Sequence, residues 1–133
     1  MATNTYILKN TRRQAAVKIT GTGLANIFLA NILYPGQYAN NQSQGNVLWP
    51  ITDIAYDVAN AATVNRNSNI IFAMNAGQNY IGFTKDIGAS LIDDANANVQ
   101  VNLGAANGTV ILQFSKESGF VDPDRQNLEP KDR

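Results

Sequence analysis

Apolar and polar residues alternate with a period of two along much of this chain, which leaves little room for anything but a β architecture. Val99-Gln100-Val101-Asn102-Leu103 and Val110-Ile111-Leu112-Gln113-Phe114 are the clearest runs. Successive strand side chains point to opposite faces, so Val99, Val101 and Leu103 line a core while Gln100 and Asn102 meet water. Gly104-Ala105-Ala106-Asn107-Gly108 lies between them, and its Asn-Gly step predicts that the two runs form one hairpin. Ile54, Tyr56 and Val58 alternate with Asp53, Ala55 and Asp57, which puts both aspartates on the solvent face of a half-buried strand.

Shorter signals fill the remainder. Tyr6-Ile7-Leu8, residues 15–20, residues 26–33, Val47-Leu48-Trp49 and Tyr80-Ile81-Gly82-Phe83 read as strands, with Pro50 marking an edge or a kink. Residues 62–66 and 70–74 read as a hairpin around Asn67-Ser68-Asn69. Gly21-Thr22-Gly23 has no third glycine and no following helix, so it reads as a hairpin turn and not as a phosphate loop. Helical periodicity allows one short turn within 87–94. The expected fold is therefore all-β: a single antiparallel β-sandwich, jelly-roll-like, of about 8–9 short strands with extended terminal arms. Residues 1–13 form an N-terminal strand or arm, 14–120 the sandwich, and 121–133 a charged, proline-bearing C-terminal arm. Val17, Ile19, Ile54, Tyr56, Val58, Ile71, Val99, Val101, Leu103, Val110, Leu112 and Phe114 are the expected core.

Composition narrows the chemistry. The 133 residues suit one domain. Cysteine and histidine are both absent, which removes disulfides, thiolate and imidazole metal ligands, and histidine-based switching near neutral pH. Ten basic residues balance ten acidic ones, so the excess of positive charge expected of a nucleic-acid binder is missing. No run approaches the roughly 20 apolar residues of a membrane span, and no basic start precedes an apolar stretch, so neither a membrane partner nor a signal peptide is expected.

Charged residues make up only 15% of the chain, against about 25% in typical domains, and eighteen asparagines help fill the gap. An amide-rich surface suits a subunit packed among neighbours, while asparagine serves turns equally well. Charge is also uneven: the first 52 residues hold Lys9, Arg12, Arg13 and Lys18 and no acid, and the rest hold six basic and ten acidic residues. Subunits could attract one another through this asymmetry, unless strand pairing mixes the two halves.

No catalytic, cofactor or metal residues emerge. Asp93-Asp94 and Asp122-Pro123-Asp124 lack the ligand spacing of a calcium loop. Asp53 and Asp57 stand about 13 Å apart on a strand, too far to cooperate in glycoside cleavage. Trp49, Tyr34, Tyr38 and Tyr56 could stack on a sugar, although strand aromatics more often belong to a core.

Residues 3–10 (TNTYILKN), 16–23 (AVKITGTG), 62–67 (ATVNRN) and 110–120 (VILQFSKESGF) resemble small virion structural proteins of marine tailed bacteriophages. The resemblance implies a structural role and carries no functional residues with it. The resulting expectation is a non-enzymatic capsid decoration or cement protein of the virion surface, homo-oligomeric, with the major capsid protein and its own copies as partners. Its terminal arms would make the contacts through Arg12, Arg13, Asp122, Asp124 and Arg125, adding a strand to an exposed sheet edge. The alternative is a tail or head-fibre adhesin module that binds host surface glycan.

Overall fold

The computed structural model describes residues 3–39, 47–92, 94–105 and 108–121. Eleven strands follow the chain: β1 (Thr3–Asn10), β2 (Gln14–Gly21), β3 (Leu24–Ile27), β4 (Tyr38–Ala39), β5 (Ile51–Val58), β6 (Ala62–Arg66), β7 (Asn69–Met74), β8 (Gly77–Gly82), β9 (Val99–Asn102), β10 (Gly108–Ser115) and β11 (Phe120–Val121). They form a five-stranded sheet, β1-β2-β10-β5-β8, a four-stranded sheet, β3-β9-β6-β7, and a short β4-β11 pair. All pairings are antiparallel. The order β2-β10-β5-β8 over β3-β9-β6-β7 is that of a jelly roll, with β1 added at one edge. The expected all-β sandwich is therefore observed, with more strands than the expected 8–9, among them the two-residue β4 and β11.

Alternation sets the core. Along β10, Val110, Leu112 and Phe114 are fully buried, and along β5, Ile54 and Val58 face the same way. Val99, Val101 and Val64 answer from the second sheet, and Trp49 and Ile32 close one end. Ten of the twelve residues expected in the core are buried, while Tyr56 and Ile71 are half-buried and packed against it. Trp49, which was also considered for a sugar platform, is buried with its ring centroid 5.1 Å from that of Phe114.

Two connections differ from the sequence reading. Residues 99–103 and 110–114 are not a hairpin: β9 pairs with β3 and β6, whereas β10 pairs with β2 and β5 in the other sheet. Both runs direct their apolar residues inward, and two such strands can face each other across a core as readily as lie side by side; the turn residues between them do not distinguish the cases. Gly21-Thr22-Gly23 likewise carries the chain from β2 in one sheet to β3 in the other. Gly21 (φ 117°) and Gly23 (φ 90°) supply the left-handed backbone of that corner. The Gly23 N–H donates to Gly104 O at 2.7 Å and the Leu103 N–H to Gly23 O at 2.8 Å, which ties the two crossings together.

Elsewhere the reading holds with shifted boundaries, except that residues 47–49 form no strand and Leu48 makes only an isolated bridge with Ser118. The β6-β7 hairpin turns on Asn67 and Ser68, both at positive φ. Residues 26–33 split into β3 and a 3-10 turn, Leu29–Ile32. The short helical turn falls at Phe83–Ile87, a single π turn just before the expected span. The N-terminal segment is a strand paired along β2, with a register shift between Ile7 and Lys9.

Leu112 lies in the middle strand of the larger sheet and has no solvent exposure. Leu112→Ala should lower unfolding free energy in urea by about 2–5 kcal/mol, and a loss below about 1 kcal/mol would place that side chain outside the core.

Candidate functional site on the outer face of the larger sheet

The same alternation that fills the core fixes what the five-stranded sheet shows to solvent. Register aligns Tyr6 with Lys18, Lys18 with Ile111, Ile111 with Ala55 and Ala55 with Tyr80, so these residues form one row across all five strands. At about 4.8 Å between strands, the two tyrosines stand roughly 19 Å apart. A neighbouring row runs through Asn4, Thr20, Thr109, Asp57 and Gln78. On the other side, Gln113 and Asp53 lie across from one another.

The middle of this face is apolar and its surround polar. Ile111 and Ala55 are half-buried and sit over the sheet centre. A hollow of about 500 Å³ opens there, lined by Ala55, Tyr56, Asp57, Gln78, Asn79, Thr109 and Ile111. Gln78 Nε2 donates to Asp57 Oδ2 at 3.1 Å, which fixes one rim of the hollow while leaving carboxylate lone pairs for a further donor. A smaller hollow of about 400 Å³, lined by Thr20, Gly21, Asp57, Ala59, Gly108 and Thr109, adjoins it through Asp57 and Thr109.

Tyr80 marks the other rim. Its ring is half-exposed, and its hydroxyl donates to Asp53 Oδ2. Gly82 makes room for this contact: a Cβ there would come within 2.9 Å of the Tyr80 hydroxyl and 3.1 Å of Asp53 Oδ2. The bond to Asp53 is the main cause that raises the Tyr80 phenol above its ordinary pKa, helped by desolvation and by the negative charges of Asp53 and Asp86. At the opposite edge, the Lys18 ammonium lies 5.9 Å from the Tyr6 ring centroid.

The interior is occupied by a charged side chain as well as by apolar ones. Arg66 is buried there, donating through Nε to Ala97 O at 2.9 Å, through Nη1 to Trp49 O at 3.0 Å and through Nη2 to Ala95 O at 3.1 Å. Its guanidinium carbon is 4.4 Å from the Trp49 ring centroid. Burial lowers its pKa to about 10, with Asp94 acting in the opposite sense, so the group stays charged at neutral pH. These contacts make Arg66 a brace and not a binding group.

The residues considered in the sequence are not gathered. Arg12 and Arg13 lie together in the β1-β2 turn, while Asp122, Asp124 and Arg125 fall outside the described residues. Trp49 is in the core, Tyr56 packs edge-on to Phe72 with centroids 6.3 Å apart, and Tyr38 lies in the β4-β11 pair, so Trp49, Tyr34, Tyr38 and Tyr56 form no common platform. Among the described residues no group of three or more acids could hold a metal ion. The sequence does indicate Asp53, Ala55 and Asp57 as solvent-facing, and the structure agrees. Ile111 and Tyr80 were missed because their place depends on register with distant strands.

No family model and no curated protein matches the chain. Among solved structures it is similar to KdgF from Halomonas sp., with 14% identity over 87% of this chain and 82% of that one and a TM-score of 0.41. It is also similar to an RmlC-like cupin from Shewanella frigidimarina, with 16% identity over 86% and 77% of the two chains and a TM-score of 0.39. These likenesses are distant, and the sandwich is established by its own strand pairing. The expectation of a capsid decoration protein is corrected on this point: the solved structures named are KdgF and an RmlC-like cupin, and the capsid reading is not carried forward.

A phenol whose folded pKa is raised contributes stability below its unfolded value of about 10 and loses it as pH rises through the folded value. Spectrophotometric titration of the tyrosinates should therefore show one group ionising late. Asp53→Asn should bring that group back toward its ordinary range, and an unchanged titration curve would contradict the Tyr80–Asp53 contact.

Proposed function

We propose that this chain is a non-catalytic binding module that holds a small polar organic molecule against the outer face of its five-stranded sheet. The observation that carries the reading is the half-buried Ile111 beside Ala55, an apolar floor at the centre of a face whose surround is hydroxyl, amide and carboxylate. Ligand sites commonly pair an apolar surface with a few placed polar groups in roughly 300–1,000 Å³, and the 500 Å³ hollow falls in that range. Asp57 offers acceptor oxygens, Gln78 both donor and acceptor atoms, and Thr109 a hydroxyl, so the occupant would bring hydrogen-bond donors and one apolar side. Asp53 and Asp57 are four residues apart on one strand, about 13 Å, which keeps them from acting as an acid and base on one bond. That separation, with no histidine or cysteine in the chain, favours holding a molecule over transforming it.

Titration of isotope-labelled protein with a library of small polyols, amines and amides should give saturable shifts at Ala55, Asp57, Gln78, Thr109 and Ile111. Ile111→Lys places a charge on the floor and should weaken any hit more than about tenfold, with thermal unfolding close to unchanged. The reading fails if no library member shifts this face, or if the hits shift only core residues such as Trp49 and Phe114.

A further inference from the structure

Three strands of the larger sheet set an apolar row beside a row of acceptors on its outer face. Ile111, Ala55 and Tyr80 pair in register across β10, β5 and β8, and Thr109, Asp57 and Gln78 pair in register two residues along. Resting on the binding role proposed for this face, we infer that its occupant is a small organic ammonium. Its apolar stem lies over Ile111 and Ala55, and its charged end meets the Asp57 carboxylate.

Asp57 is an uncompensated charge at the side of the hollow. Among the described residues it forms no ion pair, and its one hydrogen bond comes from a neutral amide, Gln78 Nε2 to Asp57 Oδ2 at 3.1 Å. That bond holds the carboxylate on the outer face beside Gln78, and both residues line the hollow. It engages a donor of Gln78 and leaves acceptors open: the other Asp57 oxygen, Gln78 Oε1 and the Thr109 hydroxyl oxygen. An ammonium brings three donors and a charge to this row, whereas a hydroxyl brings one donor and no charge. Ile111 and Asp57 are diagonal neighbours on adjacent strands, about 7–8 Å apart, so a stem of about four carbons reaches from the floor to the carboxylate.

The cations of this face stand on its other side. Lys18 is on β2, and its ammonium lies 5.9 Å from the Tyr6 ring centroid on β1, at the far edge of the sheet. Lys9 is on β1 itself, opposite Ala16. The β5-β8 side gathers carboxylates instead. Asp53 accepts from the Tyr80 hydroxyl, and Asp86 Oδ2 accepts from the Gly82 N–H at 3.1 Å. The Tyr80 phenol registers them: its pKa is raised first by the bond to Asp53, then by desolvation and by the charges of Asp53 and Asp86. A negative occupant would be repelled from this side of the sheet and a positive one drawn to it.

The test is titration of the full-length, isotope-labelled protein at low ionic strength with butylammonium and, separately, with neutral 1-butanol and anionic butanoate. Butylammonium should give saturable shifts at Ala55, Asp57, Gln78, Thr109 and Ile111 and bind about fivefold tighter than butanol. That advantage should shrink as salt is added, and butanoate should leave the face unshifted. Asp57→Asn keeps the shape of the side chain and an acceptor for Gln78. It should bring butylammonium down to the level of butanol, with the affinity for butanol and the thermal midpoint close to unchanged. Equal binding of butanol and butylammonium, or undiminished binding of butylammonium by Asp57→Asn, would overturn the cation assignment and leave the face as a site for neutral molecules. No saturable shift with butylammonium would overturn it as well. The binding role itself falls only if butanol and the neutral polyols and amides also leave this face unshifted.

Discussion

The parity of β10 governs both the core and the candidate site. This strand is paired on both sides, with β2 and β5, so its residues have only two directions to face. Once Val110, Leu112 and Phe114 turn inward, Thr109, Ile111 and Gln113 must turn outward. A slip of one residue would exchange the two sets and cost the burial of three large side chains, which is why the register is strongly specified. The apolar floor of the outer hollow is therefore a fixed consequence of the core. Ala55 on β5 and Tyr80 on β8 inherit the same parity through the ladder.

Two buried cations brace one end of the sandwich by a different means. Arg66 and Lys116 satisfy backbone carbonyls of segments that have few ladder partners, 95–97 and Trp49 in one case and the β1-β2 turn in the other. Burying a charge is costly unless it is hydrogen-bonded, and here three oxygens accept from each group. That end of the sandwich thus gains order from polar contacts in addition to its ladders.

Alternation made β5, β9 and β10 legible in the sequence, together with their buried faces and the outward aspartates 53 and 57. It could not show which strands pair, because inward-facing runs look alike whether adjacent or opposed, and the expected hairpin of residues 99–114 became a crossing between sheets. Arg66 was legible in principle, since Ala62, Val64 and Arg66 share one parity, but a charge normally signals an outward face. The row from Tyr6 to Tyr80 could not be read at all. It joins five strands whose neighbours are separated by up to about ninety residues, and only tertiary register brings them together.

Binding at the outer face of the larger sheet, and not between the sheets, is tested by soaking crystals of the protein with a cocktail of small polar fragments. The expected result is fragment density over Ala55 and Ile111, between Tyr80 and the Asp57–Gln78 rim, with the core side chains unmoved. Density between the sheets, with Trp49 and Phe114 displaced to admit it, would overturn this reading.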